Sequence, residues 1–396
     1  MIYDLITVGG GLAGAALATA LASAGARVLV LERERAFRDR VRGEVLFPWG
    51  VAEVRALGLY GTLRAAGAHE VRHWVFGEPP AERRDLVATT PAQAPCLTFY
   101  HPQMQEALLR AAEAAGAEVR RGAAVVGVTP GRPATLAVRE RGREYTLQAR
   151  LVAGADGRRS RARAWGGFDV RRDPLRLVIV GVLLTGLDLP DDAVRYVWKP
   201  GLGYAMIFPL GGGRFRCYYG YHRRARPRLP SGAQHLEQFI AACVEAGARQ
   251  EWFAGARAAG PLAAFEGADS WVERPYRAGV ALIGDAAAAS DPNWGCGMSL
   301  ALRDVRLLRD FLLAGEDWEA AGQAYAAEHD RSYAALHRIE DWLTELYFGV
   351  GPQADERRAR ALPRLREEPE RGLDIVGLGP DGPSDEQARR RLFGED

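Results

Sequence analysis

The first 32 residues of the chain carry the pattern that most restricts its fold. Residues 3–8 form a short apolar run typical of a buried parallel strand, and they lead into G-x-G-x-x-G over residues 9–14. An alanine-rich, helix-forming segment follows over residues 12–24, and residues 27–31 are a second apolar run. The order of strand, glycine turn, helix and strand predicts a parallel βαβ unit.

The small and acidic residues of this unit suit a dinucleotide site. Gly9 permits the tight turn, Gly11 lets the backbone approach a pyrophosphate, and Gly14 lets helix and strand pack closely. The first turn of the helix presents free N–H groups to the phosphates. Glu32 follows the second strand, where it can accept hydrogen bonds from a ribose diol, and its charge disfavours a 2′-phosphate. If the glycine turn were incidental, neither the second strand nor the acidic residue that follows it would be expected.

Composition excludes several other classes of protein. The 52 basic and 50 acidic residues leave a net charge of +2, which gives no reason to expect a nucleic-acid partner. The four cysteines are scattered, so neither a zinc site nor a disulfide framework is indicated. No signal-peptide pattern opens the chain, and no apolar run approaches the roughly 18 residues of a membrane-spanning helix. We therefore expect a cytoplasmic protein with no membrane partner and no metal.

Two later segments repeat the arrangement of an apolar strand followed by a turn that carries an acid. Residues 151–167, LVAGADGRRSRARAWGG, place Asp156 directly after the strand. Residues 279–292, GVALIGDAAAASDP, place Asp285 there, preceded by Gly284. On their own, Asp156 could be a turn residue and Asp285 a helix cap. Together the two segments are more than one βαβ unit needs.

In the order and spacing of these segments, the chain resembles the class A FAD-dependent monooxygenases of the aromatic hydroxylase type. Their relatives include flavin-dependent halogenases and geranylgeranyl reductases. The family's fingerprints, G-x-G-x-x-G, D-G-x-x-S-x-x-R and G-D-x(6)-P, match at residues 9–14, 156–163 and 284–292, and R-G-E at 42–44 also fits. The resemblance covers residues 1 to 345. It implies an α/β fold, with a Rossmann-like FAD-binding domain, an inserted antiparallel-sheet substrate domain and C-terminal helices.

The resemblance also implies which residues hold the cofactor. Asp285 would bind the ribityl hydroxyls of FAD, and Asp156 would contact the pyrophosphate indirectly and brace its loop. The glycine-rich turn after Pro292 would run under the isoalloxazine ring, ahead of a helix that begins near Met298. The complete set of implied cofactor-binding residues is Gly9, Gly11, Gly14, Glu32, Arg42, Asp156, Asp285, Pro292, Gly295 and Gly297.

The chain departs from the family pattern at three positions. Ala288 stands where many relatives have a histidine, and Cys296 lies between the two glycines of the turn, where a glutamine or another residue often stands. His101 opens a predicted helix at a position where an arginine usually contacts the ADP part of the flavin. His101 or Gln103 could replace that contact, or each could be a surface residue. We expect Cys296 to be a small filler rather than a thioether link to flavin.

Residues 168–274 predict the substrate-facing sheet. They alternate between glycine- or proline-containing turns and segments rich in β-branched and aromatic residues, which indicates about four or five antiparallel strands. The predicted substrate contacts are Trp294, Tyr204 and Phe208. The expected division is an FAD-binding domain over 1–70, 101–167 and 275–345, a substrate domain over 71–100 and 168–274, and a charged surface tail over 346–396.

The activity that the resemblance implies is oxygen insertion. NAD(P)H would reduce FAD, O2 would form a flavin C4a-hydroperoxide, and a small, aromatic or polyketide-like metabolite would receive one oxygen atom. No catalytic acid–base pair can be identified from the sequence. A flavin-dependent reductase or dehydrogenase of the same fold, and a non-catalytic flavin-binding protein, are alternatives. Halogenation is disfavoured, because the chain lacks a W-x-W pair and its single lysine, Lys199, lies in the strand region.

Overall fold

The secondary structure follows from a computed structural model that describes residues 2–41, 43–77 and 82–396. Within these ranges the strands, in chain order, are β1 (Ile2–Val8), β2 (Val28–Glu32), β3 (Val45–Leu46), β4 (His69–Val71), β5 (His73–Phe76), β6 (Glu82–Asp85), β7 (Cys96–Thr98), β8 (Glu118–Arg121), β9 (Ala123–Thr129), β10 (Ala134–Glu140), β11 (Arg143–Gly154), β12 (Val170–Arg172), β13 (Leu177–Thr185), β14 (Ala193–Lys199), β15 (Gly203–Pro209), β16 (Arg214–His222), β17 (Arg257–Ala258), β18 (Ala263–Gly267), β19 (Ser270–Val272), β20 (Tyr276–Arg277), β21 (Val280–Leu282) and β22 (Ala288–Ala289). The α-helices of the same ranges are α1 (Leu12–Ser23), α2 (Pro48–Ala56), α3 (Tyr60–Ala65), α4 (Leu86–Thr89), α5 (His101–Ala114), α6 (Ala162–Trp165), α7 (Leu236–Glu245), α8 (Gly297–Leu313), α9 (Trp318–Tyr347), α10 (Pro352–Glu367) and α11 (Glu386–Phe393).

The first large sheet is built around the amino-terminal strand. β1 pairs in parallel with β2 on one side and with β11 on the other, and β8 and β21 extend the parallel part. α1 is buried along most of its length because α5 and α8 pack against it, as its apolar, alanine-rich sequence requires. This arrangement confirms the predicted Rossmann-like unit.

The second large sheet is mainly antiparallel and comes mostly from the middle of the chain. β13, β16, β15 and β14 lie side by side, and β17 and β18 both pair with β13. β5 joins β14 in parallel and carries β6 at its other edge. The described part of this sheet therefore has eight strands rather than four or five, because strands from two distant segments complete it. The inserted antiparallel sheet is confirmed.

Two long helices close the fold. α8 packs against α1, α2 and α9, and α9 continues for 30 residues along the carboxyl-terminal half of the molecule. These helices confirm the predicted C-terminal helical part. Nowhere in the described ranges does a helix combine the length and apolar character needed to cross a bilayer.

The residues after Gly351 are ordered as two further helices, α10 and α11. Leu392 and Phe393 on α11 are almost completely buried, and they belong to the same apolar cluster as Trp49 of α2. The indole Nε1 of Trp49 donates a hydrogen bond to the backbone oxygen of Ile375 at 3.2 Å. Buried apolar residues and two ion pairs, Arg84–Asp374 and Arg303–Asp381, both at 2.6 Å, together attach this charged segment to the core.

Candidate active site

One cavity of about 1540 Å³ is lined by both large sheets. The first sheet contributes the glycine turn and the loops after β2, β11 and β21. The second sheet contributes the side chains Ile179, Met206, Phe208 and Tyr218 from β13, β15 and β16. A space that reaches both a dinucleotide-type turn and an apolar wall can hold a cofactor and a substrate side by side.

The glycines of the amino-terminal turn are required for two different reasons. Gly9 has φ +105°, and a Cβ there would lie 2.6 Å from the backbone oxygen of Ala155. A Cβ on Gly14 would lie only 2.0 Å from the backbone oxygen of Gly9. At Gly11 the nearest atom to a Cβ is the side-chain nitrogen of Gln105, 3.4 Å away, and Gly11 lines the cavity. Gly9 and Gly14 thus allow the packing, whereas Gly11 leaves room for a ligand.

Glu32 is held at the end of β2 by backbone hydrogen bonds. Its Oε2 accepts from Gly10 N at 2.8 Å, and its Oε1 accepts from Glu34 N at 2.7 Å. The side chain is buried but lines the cavity. Because a carboxylate has about four lone-pair sites, both oxygens can still accept from a ribose diol.

Asp156 braces the loop that follows β11. Its Oδ2 accepts hydrogen bonds from Arg161 N at 2.7 Å and from Ala162 N at 3.1 Å, at the start of α6. Its buried Oδ1 has no hydrogen-bond partner among the described residues. Arg163 beside it donates to the backbone oxygens of Arg158 and, at 3.3 Å, of Asp285, which links two of the three fingerprints.

Asp285 lies on a short 3₁₀ turn after β21 and lines the cavity. A hydrogen bond to α8 fixes the position of this turn, since Gly284 N donates to Asp304 Oδ2 at 2.8 Å. Asp304 Oδ1 lies 2.8 Å from His329 Nδ1, and both side chains are 1% exposed. Burial alone would lower the pKa of His329, but the charge of Asp304 outweighs it and the pKa is raised. No local sequence pattern indicates this pair, since it depends on how α8 and α9 pack.

The turn between β22 and α8 has the irregular geometry expected from its sequence. Asp291 caps a 3₁₀ turn over Pro292–Trp294 by accepting from Asn293 N at 2.9 Å. Gly295 has φ +72°, and α8 begins at Gly297, where a Cβ would lie 3.6 Å from Asp285 Oδ1. Pro292, Gly295 and Gly297 all line the cavity, so the free N–H groups at the start of α8 lie next to it.

Three further positions that the sequence singled out near the cofactor are Cys296, His101 and Arg42. Cys296 is fully buried, and its Sγ lies 3.6 Å from the backbone oxygen of Trp294, which fits a small filler. His101 lines the cavity, and its Nδ1 lies 2.7 Å from the backbone oxygen of Gly43. Arg42 lies outside the described residues.

The structure separates the three predicted substrate contacts. Phe208 lines the cavity. Tyr204 instead donates a hydrogen bond to Asn293 Oδ1 at 2.9 Å, and Trp294 donates from Nε1 to Thr344 Oγ1 at 3.0 Å. Within the described residues, Tyr204 and Trp294 do not line the cavity. Their hydrogen bonds instead connect the turn before α8 to β15 and to α9.

A buried polar cluster at the cavity wall was not anticipated. Arg216 on β16 donates from Nη2 to both carboxylate oxygens of Asp39, at 2.9 and 2.8 Å, and its Nε lies 3.1 Å from Glu44 Oε1. The hydroxyl of Tyr218 donates to Glu44 Oε2. The signal in the sequence was the alternation in β16, which places Arg216 and Tyr218 on one face. We call these four residues the Arg216 cluster.

Comparison with known proteins identifies the family to which this chain belongs. Residues 3–339 match a family model described as FAD binding domain. Digeranylgeranylglycerophospholipid reductase 1 of Methanococcoides burtonii is 27% identical, with 76% of this chain and 72% of the relative aligned. Rifampicin monooxygenase of Streptomyces venezuelae is 29% identical over 90% of this chain and 74% of its own. The solved structure of p-nitrophenol 4-monooxygenase from Pseudomonas putida DLL-E4 superposes with a TM-score of 0.76 at 19% identity, covering 99% and 96% of the two chains, and shows the shared fold.

The residues of the cavity fit the cofactor that this match implies. Gly11 leaves open the space that a pyrophosphate would fill. Asp156 Oδ1 and Arg163 Nη1 are buried polar atoms that lack partners among the described residues. The predicted cofactor, FAD, is confirmed by the family match.

Proposed function

Because the chain belongs to the FAD binding domain family, we propose that it is an FAD-dependent monooxygenase that uses NAD(P)H and O2 to oxygenate a small, aromatic or polyketide-like metabolite. The observation that carries this proposal is the shared cavity. The glycine turn, Asp285 and the turn before α8 line the same space as Ile179 and Phe208. A substrate against that apolar wall lies within reach of a cofactor held by the turns.

The residues of the cofactor end would each hold a different part of FAD. When bound, FAD supplies the redox chemistry, taking electrons from a nicotinamide and passing them to O2. Glu32 would accept from the ribose hydroxyls, Gly11 would admit the pyrophosphate, and Asp285 would accept from the ribityl hydroxyls. The start of α8 would present N–H groups and the positive end of its dipole to the flavin ring.

The residues of the substrate end exclude water and orient the substrate. Ile179, Met206 and Phe208 are buried and apolar, so they favour a flat, apolar ligand over water. Excluding water from this wall would prevent activated oxygen from being lost as hydrogen peroxide before it reaches the substrate. Tyr204 and Trp294 would keep the turn before α8 in position rather than contact the substrate.

Oxygen stoichiometry tests the proposal. The FAD-loaded protein is screened against aromatic and polyketide-like compounds while NAD(P)H oxidation and O2 uptake are followed and product masses are recorded. We expect one O2 consumed per NAD(P)H and a product heavier by one oxygen atom. Gly11→Val, which blocks the pyrophosphate space, serves as the control without flavin. NAD(P)H oxidation that yields only hydrogen peroxide across the screen would contradict the proposal.

A reductase is the second candidate, and the 27% identity to a digeranylgeranylglycerophospholipid reductase supports it. The same cavity would then hold an alkene or quinone against the wall formed by Phe208 and Ile179. If the protein is a reductase, we expect turnover without O2 and a product heavier by two hydrogen atoms. Running the same screen with and without O2 separates the two candidates.

A further inference from the structure

Both candidate reactions of this cavity consume a proton that must come from solvent. Oxygenation with water as the second product, and reduction of a double bond, each take up one proton for every NAD(P)H oxidised. Water alone supplies protons slowly at neutral pH, so a side chain that titrates near neutrality is the better donor. Ile179, Met206 and Phe208 in the wall of the second sheet are apolar and cannot supply it. The supply therefore depends on titratable groups elsewhere along the cavity.

Asp173, Asp269 and His337 lie together at a polar edge of the cavity, and we call them the His337 group. Asp173 follows β12, Asp269 lies in the turn between β18 and β19, and His337 is on α9. The Nε2 atom of His337 lies 2.7 Å from Asp173 Oδ2 and 3.9 Å from Asp269 Oδ2. One titratable atom of each side chain lies within 4.8 Å of the other two. Both aspartates line the cavity, so the group can exchange protons with its contents.

The His337 group extends from the surface into the interior. The side chains of Asp173 and His337 are 23% and 24% exposed, whereas Asp269 is 4% exposed. Asp269 is held in place, since its Oδ1 accepts from Asp291 N at 2.6 Å and its Oδ2 accepts from the Tyr333 hydroxyl at 2.9 Å. A carboxylate has about four lone-pair sites, so either oxygen can still bind a proton. The group therefore connects water at the surface with the inside of the cavity.

Both ends of the His337 group can change protonation state near neutral pH. Burial and the charge of Asp291 raise the pKa of Asp269 to about 6, although the charge of His337 opposes the rise. Burial alone would lower the pKa of His337, but the hydrogen bond to Asp173 and the charge of Asp269 raise it. Proton transfer is most efficient when the pKa values of donor and acceptor lie near the working pH.

We propose that the His337 group is the path by which a proton from solvent reaches the cavity, with Asp173 as the positioning residue that holds the imidazole. The N–H bond at His337 Nε2 breaks, an O–H bond forms on a carboxylate oxygen of Asp269, and the nitrogen keeps the electron pair. Asp269 then passes the proton to a basic nitrogen or oxygen atom of a bound ligand and returns to the carboxylate form. His337 regains a proton from water. The inference rests on the proposed function for the reaction that consumes the proton.

Other charged and titratable groups face the His337 group from the elements packed against it. They are Arg176 before β13, Tyr333, Glu340 and Asp341 of α9, Asp291 of the turn before α8, and Arg158 of the loop after β11. Arg176 pairs with Asp341, and the ring of Trp271 lies 4.8 Å from the imidazole of His337. Because several of these groups respond to pH, the test follows the proton itself rather than a pH profile.

The test measures proton uptake when bound FAD is reduced. FAD-loaded protein in weakly buffered solution is mixed without O2 with reduced methyl viologen, which donates electrons but no proton, and a pH-indicator dye reports the proton. In the wild type, the dye and flavin signals should change together. In Asp269→Asn and His337→Ala, the dye should respond about a hundredfold more slowly, on the scale of general acid catalysis. Glu266→Gln, which removes an exposed carboxylate on the same cavity, is the matched control and should behave as wild type.

Imidazole in solution distinguishes proton transfer from a merely structural role. It should restore fast proton uptake in His337→Ala, because it can carry a proton into the vacated space, whereas it cannot repair a distorted fold. Asp269→Glu, which keeps a carboxyl group, should retain most of the wild-type rate. In the flavin-free protein, Asp269→Asn should lower the pKa of His337 in an NMR titration, because the charge of Asp269 raises it. This last measurement shows that the two side chains interact even in a variant that binds FAD poorly.

Two results would overturn the proton path. One is wild-type proton uptake in both Asp269→Asn and His337→Ala, and the other is slow uptake in His337→Ala that imidazole does not change. Either result combined with oxygen incorporation by the wild type would remove the proton path and keep the monooxygenase proposal. Slow uptake in both variants, with rescue by imidazole but without oxygen incorporation by the wild type, would keep the path and remove the monooxygenase proposal.

Discussion

The glycine turn and the Arg216 cluster lie on one cavity but are assembled in opposite ways. The turn takes all its parts from residues 2–32, and its function lies in the backbone. The cluster joins Asp39 and Glu44 to Arg216 and Tyr218, more than 170 residues away, and its function lies in side chains. One part of a cofactor site can thus come from a local motif, whereas the wall formed by the second sheet depends on how distant segments meet.

The largest effect should come from the glycine that the turn itself requires. A Cβ on Gly14 would collide with the backbone oxygen of Gly9, so Gly14→Ala forces the turn apart. We expect the free energy of unfolding to fall by about 3 kcal/mol, the upper range for overpacking. Urea denaturation of the flavin-free protein measures it. Unchanged stability would show that the glycine turn can move to accommodate a side chain at residue 14 and is not rigid.

Gly11→Val should act on the cofactor alone. The position faces the cavity, so the new side chain occupies space meant for the ligand rather than for protein atoms. We expect FAD affinity to fall by about a hundredfold or more, with thermal stability of the flavin-free protein close to wild type. Flavin fluorescence quenching gives the affinity. Wild-type affinity would refute the assignment of this site.

Asp304→Ala tests whether the cofactor end also depends on distant side chains. The change leaves both the buried Gly284 N–H and the buried His329 Nδ1 without their partner, and each loss should cost about 1–3 kcal/mol in unfolding free energy. Because Asp285 is the next residue, FAD affinity should fall as well. Thermal melts with and without FAD separate the two losses, and Asp310→Ala, on the exposed face of α8, is the control.

His329 should give the stability of the protein a specific pH dependence. Its pKa is raised in the folded state, so its contribution is complete below the ordinary histidine pKa of about 6.5 and is lost as the pH rises through the raised pKa. The slope for one proton cannot exceed about 1.4 kcal/mol per pH unit. Urea denaturation at several pH values should show this decline in the wild type, and His329→Gln should make it smaller but not remove it, because the pKa of His337 is also raised by Asp173 and Asp269.

The smallest effect is expected behind the turn before α8. Trp294→Phe removes the hydrogen bond to Thr344 and should cost about 1 kcal/mol of stability without changing substrate KM. Phe208→Leu, at the cavity wall, should instead change KM at a cost below about 1.5 kcal/mol. Melting temperature and steady-state kinetics on both variants provide the comparison. A changed KM in Trp294→Phe would restore Trp294 as a substrate contact.

The sequence predicted what depends on spacing and missed what depends on packing. Gly9, Gly14 and Glu32 could be read because the strand, turn and helix that use them are adjacent. Alternation in β15 correctly places Tyr204 and Phe208 on one face, but it cannot say how far along that face the cavity extends. Asp304 and His329 lie on separate helices, and no local pattern reveals that they meet.

The parallel pairing of β5 with β14 has a consequence for how the protein is made. His73 of β5 finds its partner Ala193 only after 120 further residues, and β11 of the first sheet waits for Val280 of β21. During synthesis from the amino terminus, neither sheet can be finished until about two thirds of the chain has emerged. Strand edges stay open in the meantime, and such long-range pairing slows folding. Asp285, proposed to contact the cofactor, follows β21 by three residues, so this turn forms at nearly the same moment as the last strands of the first sheet, whereas the helices from α8 onward are added later.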